Sequence, residues 1–203
     1  TFGTFLATAR FIKNKLINFK LTVPSIIASI IGASIGSNLS LIIDEKYLLL
    51  GMIIVLPLSA FIVLNKKLFN DDGTDEIKLN KHTIFTATIS ALIIGCYDGF
   101  YGPGTGTFLI IAFVIFTKIS IKIANAQAKV INLTTNITSL AIFLYNGKVI
   151  ITLGLIAAIC NMIGNYIGSG LVMKNGSKIV KPSIIFVLFL LSLKVLEYIK
   201  TLL

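Results

Sequence analysis

Tyr97-Asp98-Gly99-Phe100-Tyr101-Gly102-Pro103-Gly104-Thr105-Gly106-Thr107-Phe108 interrupts the apolar segment 83–117. Gly102, Gly104 and Gly106 around Pro103 end a helix arriving from either side. Two paths remain. If 83–117 crosses a bilayer once, the connecting loops divide their Lys and Arg 10 to 6. If it goes in and comes back, as a hairpin or re-entrant pair, the division is 13 to 3. One side then holds Arg10, Lys13, Lys15, Lys20, Lys66, Lys67, Lys78, Lys81, Lys118, Lys122, Lys174, Lys178 and Lys181, the other Lys46, Lys148 and Lys200. The second path fits the clustering of positive charge on one membrane face far better.

A membrane setting is required by the rest of the chain. Of 203 residues, 56% are hydrophobic and 13% charged, with a mean hydropathy of +0.95. Soluble domains carry about 25% charge. The apolar residues come in blocks of about 20, enough for a helix to span the hydrocarbon core. Helices are expected near 1–17, 22–43, 46–64, 83–100, 104–117, 124–145, 149–173 and 178–200. The net charge of +10 comes from residues mostly between these blocks, which excludes nucleic acid as a partner. Cys96 and Cys160 lie inside apolar blocks and read as small packing residues rather than a disulfide or metal framework. His82, the single histidine, reads as interfacial, and no Ser/His/Asp set is visible. The chain is therefore expected not to be an enzyme and to need no cofactor or metal.

The sequence also matches itself at an offset of 132 residues. Ile31-Gly32-Ala33-Ser34-Ile35-Gly36-Ser37 falls on Ile163-Gly164-Asn165-Tyr166-Ile167-Gly168-Ser169, and the ungapped alignment holds 18 identities over 64 positions. A tandem duplication is a common transporter plan. It divides the chain into a first repeat, 1–64, a polar linker, 65–82, expected to be cytoplasmic and carrying Asp71 and Asp72, and a second repeat, 83–203. Loop 13–20 and its partner near 145–148 then lie on opposite sides, so the repeats are expected to be inverted. Residues 83–132 find no partner, and Thr1-Phe2-Gly3-Thr4-Phe5 already reads as the middle of a membrane helix. A front segment of the first repeat is expected to precede Thr1. Gly32/Gly36 and Gly164/Gly168 read as helix-packing motifs; Asn161 and Asn165 read equally as interhelical partners or pathway residues.

Charges within membrane helices are rare and usually functional. Asp98 lies just before the break, and Lys129 lies one turn into the next helix. Asn132 and Asn136 follow Lys129 at i+3 and i+7, on the same helical face. A helix starting at Pro103 would aim free N–H groups at an anion, with Thr105 and Thr107 adding hydroxyls. Unwound backbone at membrane depth requires burial in protein or a cavity to line. Two other readings stand beside this one: a packing kink at the glycines, and an Asp98–Lys129 structural ion pair.

These residues resemble a known family. Tyr97 through Phe108 is similar to the second-repeat signature of the sulfite exporter TauE/SafE family. Asn125-Ala126-Gln127-Ala128-Lys129-Val130-Ile131-Asn132-Leu133-Thr134-Thr135-Asn136 resembles the stretch that follows it there, and Thr1–Phe5 the matching first-repeat helix. The resemblance implies export or uptake of sulfite, organosulfonates or related small anions, with ion-motive coupling.

The expectation is an all-α integral membrane protein, multi-pass in the cell (inner) membrane, with a Gly-Pro-broken segment. It would be a secondary transporter of small sulfur-containing or carboxylate anions. The substrate would be bound by Gly104, Thr105, Gly106, Thr107, Asn125, Lys129, Asn132 and Asn136, with Asp98 carrying a coupling proton or other ion. The partners are then the anion, the coupling ion and the lipid bilayer, with homo-oligomerisation left open. The alternatives are an anion channel and a membrane assembly factor without transport activity.

Overall fold

The computed structural model describes residues 1–43, 61, 64 and 79–202. Most of the expected helix 46–64, most of the polar linker and the Asp71/Asp72 pair lie outside the described residues. The described part is helical, without β-strand: α1 (Phe2–Lys13), α2 (Phe19–Ser40), α3 (Lys81–Phe100), α4 (Thr105–Thr117), α5 (Ile121–Tyr145), α6 (Ile151–Asn175) and α7 (Ser177–Leu202).

Short polar residues start three of these helices. Asn18 Oδ1 accepts from the Lys20 and Leu21 amides at 3.1 and 3.3 Å. Asn80 Oδ1 accepts from the Thr83 amide at 2.6 Å, and Ser120 Oγ from the Ile123 amide at 3.3 Å. Each cap satisfies donors that the first helical turn leaves without partners. α2, α3 and α6 are long and apolar enough to cross a membrane. α4, with 13 residues, spans only about 20 Å against a hydrocarbon core of about 30 Å.

The polarity is arranged for lipid. Outward positions are large and apolar, such as Ile27, Ile35, Phe85, Ile93, Ile156 and Ile163, while Thr22, Ser25, Ser29, Ser37, Gln127 and Thr135 are buried. With hydrocarbon outside, helices associate through close packing and hydrogen bonds rather than through burial of large side chains. The α2–α3 seam is the clearest case. A Cβ on Gly95 would sit 3.1 Å from Ser29 Cα. One on Gly32, Gly36 or Gly99 would strike the Leu92, Cys96 or Ala33 carbonyl oxygen.

Contacts across the bundle set the helix directions. Gly32 faces Leu92 and Cys96, and Gly36 faces Cys96 and Phe100, so α2 and α3 run parallel. Thr22 pairs with Gln127 and Ser37 with Ser139, so α5 runs with them. α1 runs against α5, because Thr8 donates to the Lys129 carbonyl and Thr1 to that of Asn136. α6 runs with α1: Asn161 lies over Gly3, and the Arg10 guanidinium donates to the Tyr166 carbonyl at 2.9 Å and stacks on the Tyr166 ring. α4 starts deep in the bundle, where Thr105 meets Asp98, and ends at the short loop into α5. One end of the bundle thus collects Lys13, Lys15, Lys20, Lys81, Lys118, Lys122, Lys174 and Lys178. Lys148, between α5 and α6, lies at the other end.

Candidate functional site

Between α3 and α4 the chain turns through Gly102 and Gly104, at φ +90° and +87°. That left-handed backbone is open to glycine at little cost. Here the structure corrects one expectation: the helix begins at Thr105, not Pro103. Pro103 is held between two left-handed glycines, and its carbonyl accepts from the Tyr97 hydroxyl at 2.5 Å. The Thr105 amide turns back to the Gly102 carbonyl at 3.2 Å, and among the described residues the Gly106 and Thr107 amides have no backbone acceptor. They form the positive end of α4.

A cavity of about 450 Å³ lies against this first turn of α4. α4 contributes Gly106, Thr107 and Ile110, and α5 contributes Asn125, Ala128, Lys129 and Asn132. α6 adds Gly164, Asn165, Gly168 and Ser169, and α7 adds Val180, Ser183 and Ile184. Lys129 Nζ donates to Asn165 Oδ1 at 2.9 Å. Asn165 Nδ2 in turn donates to the Asn161 carbonyl at 3.0 Å, which fixes its oxygen toward the lysine.

Of the residues expected at the site, the cavity brings together Gly106, Thr107, Asn125, Lys129 and Asn132. Gly104, Thr105, Asn136 and Asp98 stand behind it. Gly104 caps α4. Asn136 Nδ2 donates to the Asn132 carbonyl at 2.5 Å and so holds the neighbouring residue. Thr105 turns away from the cavity to donate to Asp98 Oδ1 at 2.5 Å. The other Asp98 oxygen accepts from the Thr135 hydroxyl. Asp98 and Lys129 thus have separate partners, and the ion-pair reading falls.

Each threonine beside Asp98 has a second acceptor. Thr105 Oγ1 lies 2.6 Å from the Gly102 carbonyl, and Thr135 Oγ1 lies 3.1 Å from that of Asn132. An ionised Asp98 accepts from both hydroxyls. A protonated Asp98 can donate to one of them while that hydroxyl turns to its own backbone carbonyl. The site therefore keeps its hydrogen bonds in either protonation state.

The sequence reading missed several participants. Thr135 follows Asn132 by one turn on the face already singled out, and that spacing was its signal. Ser169 is one of the repeat identities. Ser183 carried no signal. Gly164 and Gly168 correct the packing expectation: a Cβ on either meets nothing within 4 Å among the described residues, and both line the cavity. Gly32 and Gly36 do pack. Asn165 makes the interhelical hydrogen bond to Lys129 and lines the cavity.

The chain is similar to known proteins along nearly its whole length. The model of the family described as Sulfite exporter TauE/SafE matches residues 1–195. The chain is 30% identical over 195 residues to "Probable membrane transporter protein YfcA" of Escherichia coli (strain K12), covering 96% of this chain and 71% of that protein. It is 30% identical to "Probable membrane transporter protein ORF9" of Sinorhizobium sp, covering 96% and 74%. A "Probable membrane transporter protein" of Haemophilus influenzae is 26% identical over 193 residues, covering 95% and 74%. No solved structure matches the chain.

Proposed function

The chain belongs to the sulfite exporter TauE/SafE family, and from that premise we propose that this membrane transporter is an ion-coupled secondary transporter of small sulfur-containing or carboxylate anions. The observation that carries the proposal is the convergence of the Lys129 ammonium, the Thr107 and Asn132 side chains and the free amides of α4 at the inner end of one cavity. A cation, neutral donors and a helix N-terminus around one space suit an anion. Gly106 and Thr107 supply amides, Lys129 the charge, and Asn125 and Asn132 polar contacts. Gly104, Thr105 and Asn136 shape the wall from behind.

The basic end is assigned to the cytoplasm of a cell (inner) membrane by the positive-inside rule. The inverted repeat is supported by α2 and α6, which match at the 132-residue offset and run in opposite directions. The short α4, returning toward the basic end, supports a re-entrant path for 83–117. Asp98 is the coupling group, taking up a proton between Thr105 and Thr135. Its protonation would reverse one of the two hydrogen bonds that tie the start of α4 to α5, and so bring proton binding to the wall of the anion site. α5, α6 and α7 line the cavity from their basic-end halves, and α4 from its deep start. That one-sided access supports alternating access over a channel.

The test is uptake by the full chain in proteoliposomes, with sulfite, sulfate, sulfoacetate, taurine and simple carboxylates, with and without a pH gradient. Saturable, gradient-driven uptake and counterflow are expected, with a loss of about 100-fold or more in Lys129→Ala, as for a partnered charge at membrane depth. Full activity in a folded Lys129→Ala protein sinks the site assignment, and flux without counterflow favours a channel.

A further inference from the structure

Resting on the anion-transport reading above, we infer that the cavity is shaped for an amphiphilic organic monoanion, a sulfonate or carboxylate with an apolar body of about four to eight carbons, in preference to inorganic sulfite or sulfate. Three observations carry this.

The first is size. At about 30 Å³ per water, 450 Å³ corresponds to roughly 15 waters. An inorganic oxyanion has four or five heavy atoms and displaces only a small part of that. The remainder would be water held against apolar walls, which is unfavourable.

The second is charge. Lys129 is the only charged side chain lining the cavity among the described residues. One ammonium balances one negative charge. A dianion would keep a second charge with no cation opposite it, at a depth where water is scarce.

The third is the distribution of polarity along the cavity. Counting from the basic end of each helix, Lys129 on α5 and Asn165 on α6 lie about 12 and 15 Å deep. Thr107 and Asn132 face the same region. Nearer the basic end, within about 10 Å, the wall is mostly Leu171, Val172, Ile179, Val180 and Ile184. Asn125, Ser169 and Ser183 interrupt it without closing it. A ligand entering from that end places its anionic head on Lys129 and leaves its body along the apolar stretch. Sulfite satisfies the head region and leaves the stretch unused.

The experiment is isothermal titration of the purified full chain with methanesulfonate, butanesulfonate, hexanesulfonate, sulfite and sulfate. It is repeated on Lys129→Ala and on Ser183→Phe, which puts bulk into the apolar stretch. Affinity should rise up to about fourfold per added methylene while the tail is being buried. Ser183→Phe should flatten the series and bring hexanesulfonate back toward methanesulfonate, with an unchanged melting temperature as the control for folding. Binding that depends on Lys129 but is flat along the series, or strongest for sulfite or sulfate, overturns this inference and leaves the anion site standing. Chain-length-dependent binding that survives Lys129→Ala is hydrophobic partition and overturns both. So does the absence of Lys129-dependent binding to every probe.

Discussion

α2 and α6 carry the same Gly-x-x-x-Gly pattern at matching positions of the duplication, and the fold uses the two copies differently. On α2, Gly32 and Gly36 lie against the backbone of α3, so closely that a Cβ would strike a carbonyl oxygen. On α6, Gly164 and Gly168 face open space and line the cavity beside Asn165 and Ser169. A small residue lets two backbones approach, and it also leaves room where nothing approaches. Which of these a glycine does depends on its neighbour, not on the motif. The α2–α3 seam is scaffold; the α6 copy is wall.

The largest effect that separates the two copies should come from Gly36→Leu. The side chain has only the α3 backbone to push against, so the seam must open, at a cost above about 3 kcal/mol. Thermal unfolding in detergent should show a collapsed or absent transition. The matching change on the other copy, Gly168→Leu, should leave the melting temperature nearly unchanged and weaken anion binding about tenfold or more, because it fills the cavity. If both variants unfold alike, the comparison is broken.

A third test sharpens the wall side. Asp98→Asn should keep anion binding while uptake stops responding to a pH gradient, since the amide cannot take up and release a proton between Thr105 and Thr135. Retained gradient dependence would remove Asp98 from coupling. The smallest effect is expected back in the scaffold. Thr22→Val deletes the buried hydrogen bond to Gln127 and should cost about 0.6 kcal/mol, the usual size for such bonds between membrane helices. A loss several times larger would mean that the α2–α5 contact carries more of the scaffold than the glycine seam does.

The helices were readable because a bilayer imposes length and apolarity on each span. Asn18, Asn80 and Ser120 sit where caps are needed, within a few residues of the expected starts. The cavity was readable in part. Lys129 and Asn132 stand out because a cation and an amide one turn apart are unusual in so apolar a helix. Ser183 did not stand out, since a lone serine in a membrane helix usually bonds to its own backbone. Thr105 was taken as a ligand donor because it adjoins the break. Its rotation toward Asp98 follows from the left-handed Gly102 and Gly104, and the local sequence does not state that rotation.

By itself, the sequence determined that this chain lives in a membrane as a helical bundle, that its helix breaks around Pro103, and that two charges, Asp98 and Lys129, lie within apolar helices on either side of that break. Those properties follow from local composition: apolar length, glycine and proline at a break, and charges where charges are costly. The tertiary structure alone decided that Asp98 and Lys129 serve separate networks, that one Gly-x-x-x-Gly packs while its copy lines a cavity, and that an apolar stretch leads to the lysine. Each of these depends on which helix lies opposite, and that is a property of the assembled bundle rather than of any one segment.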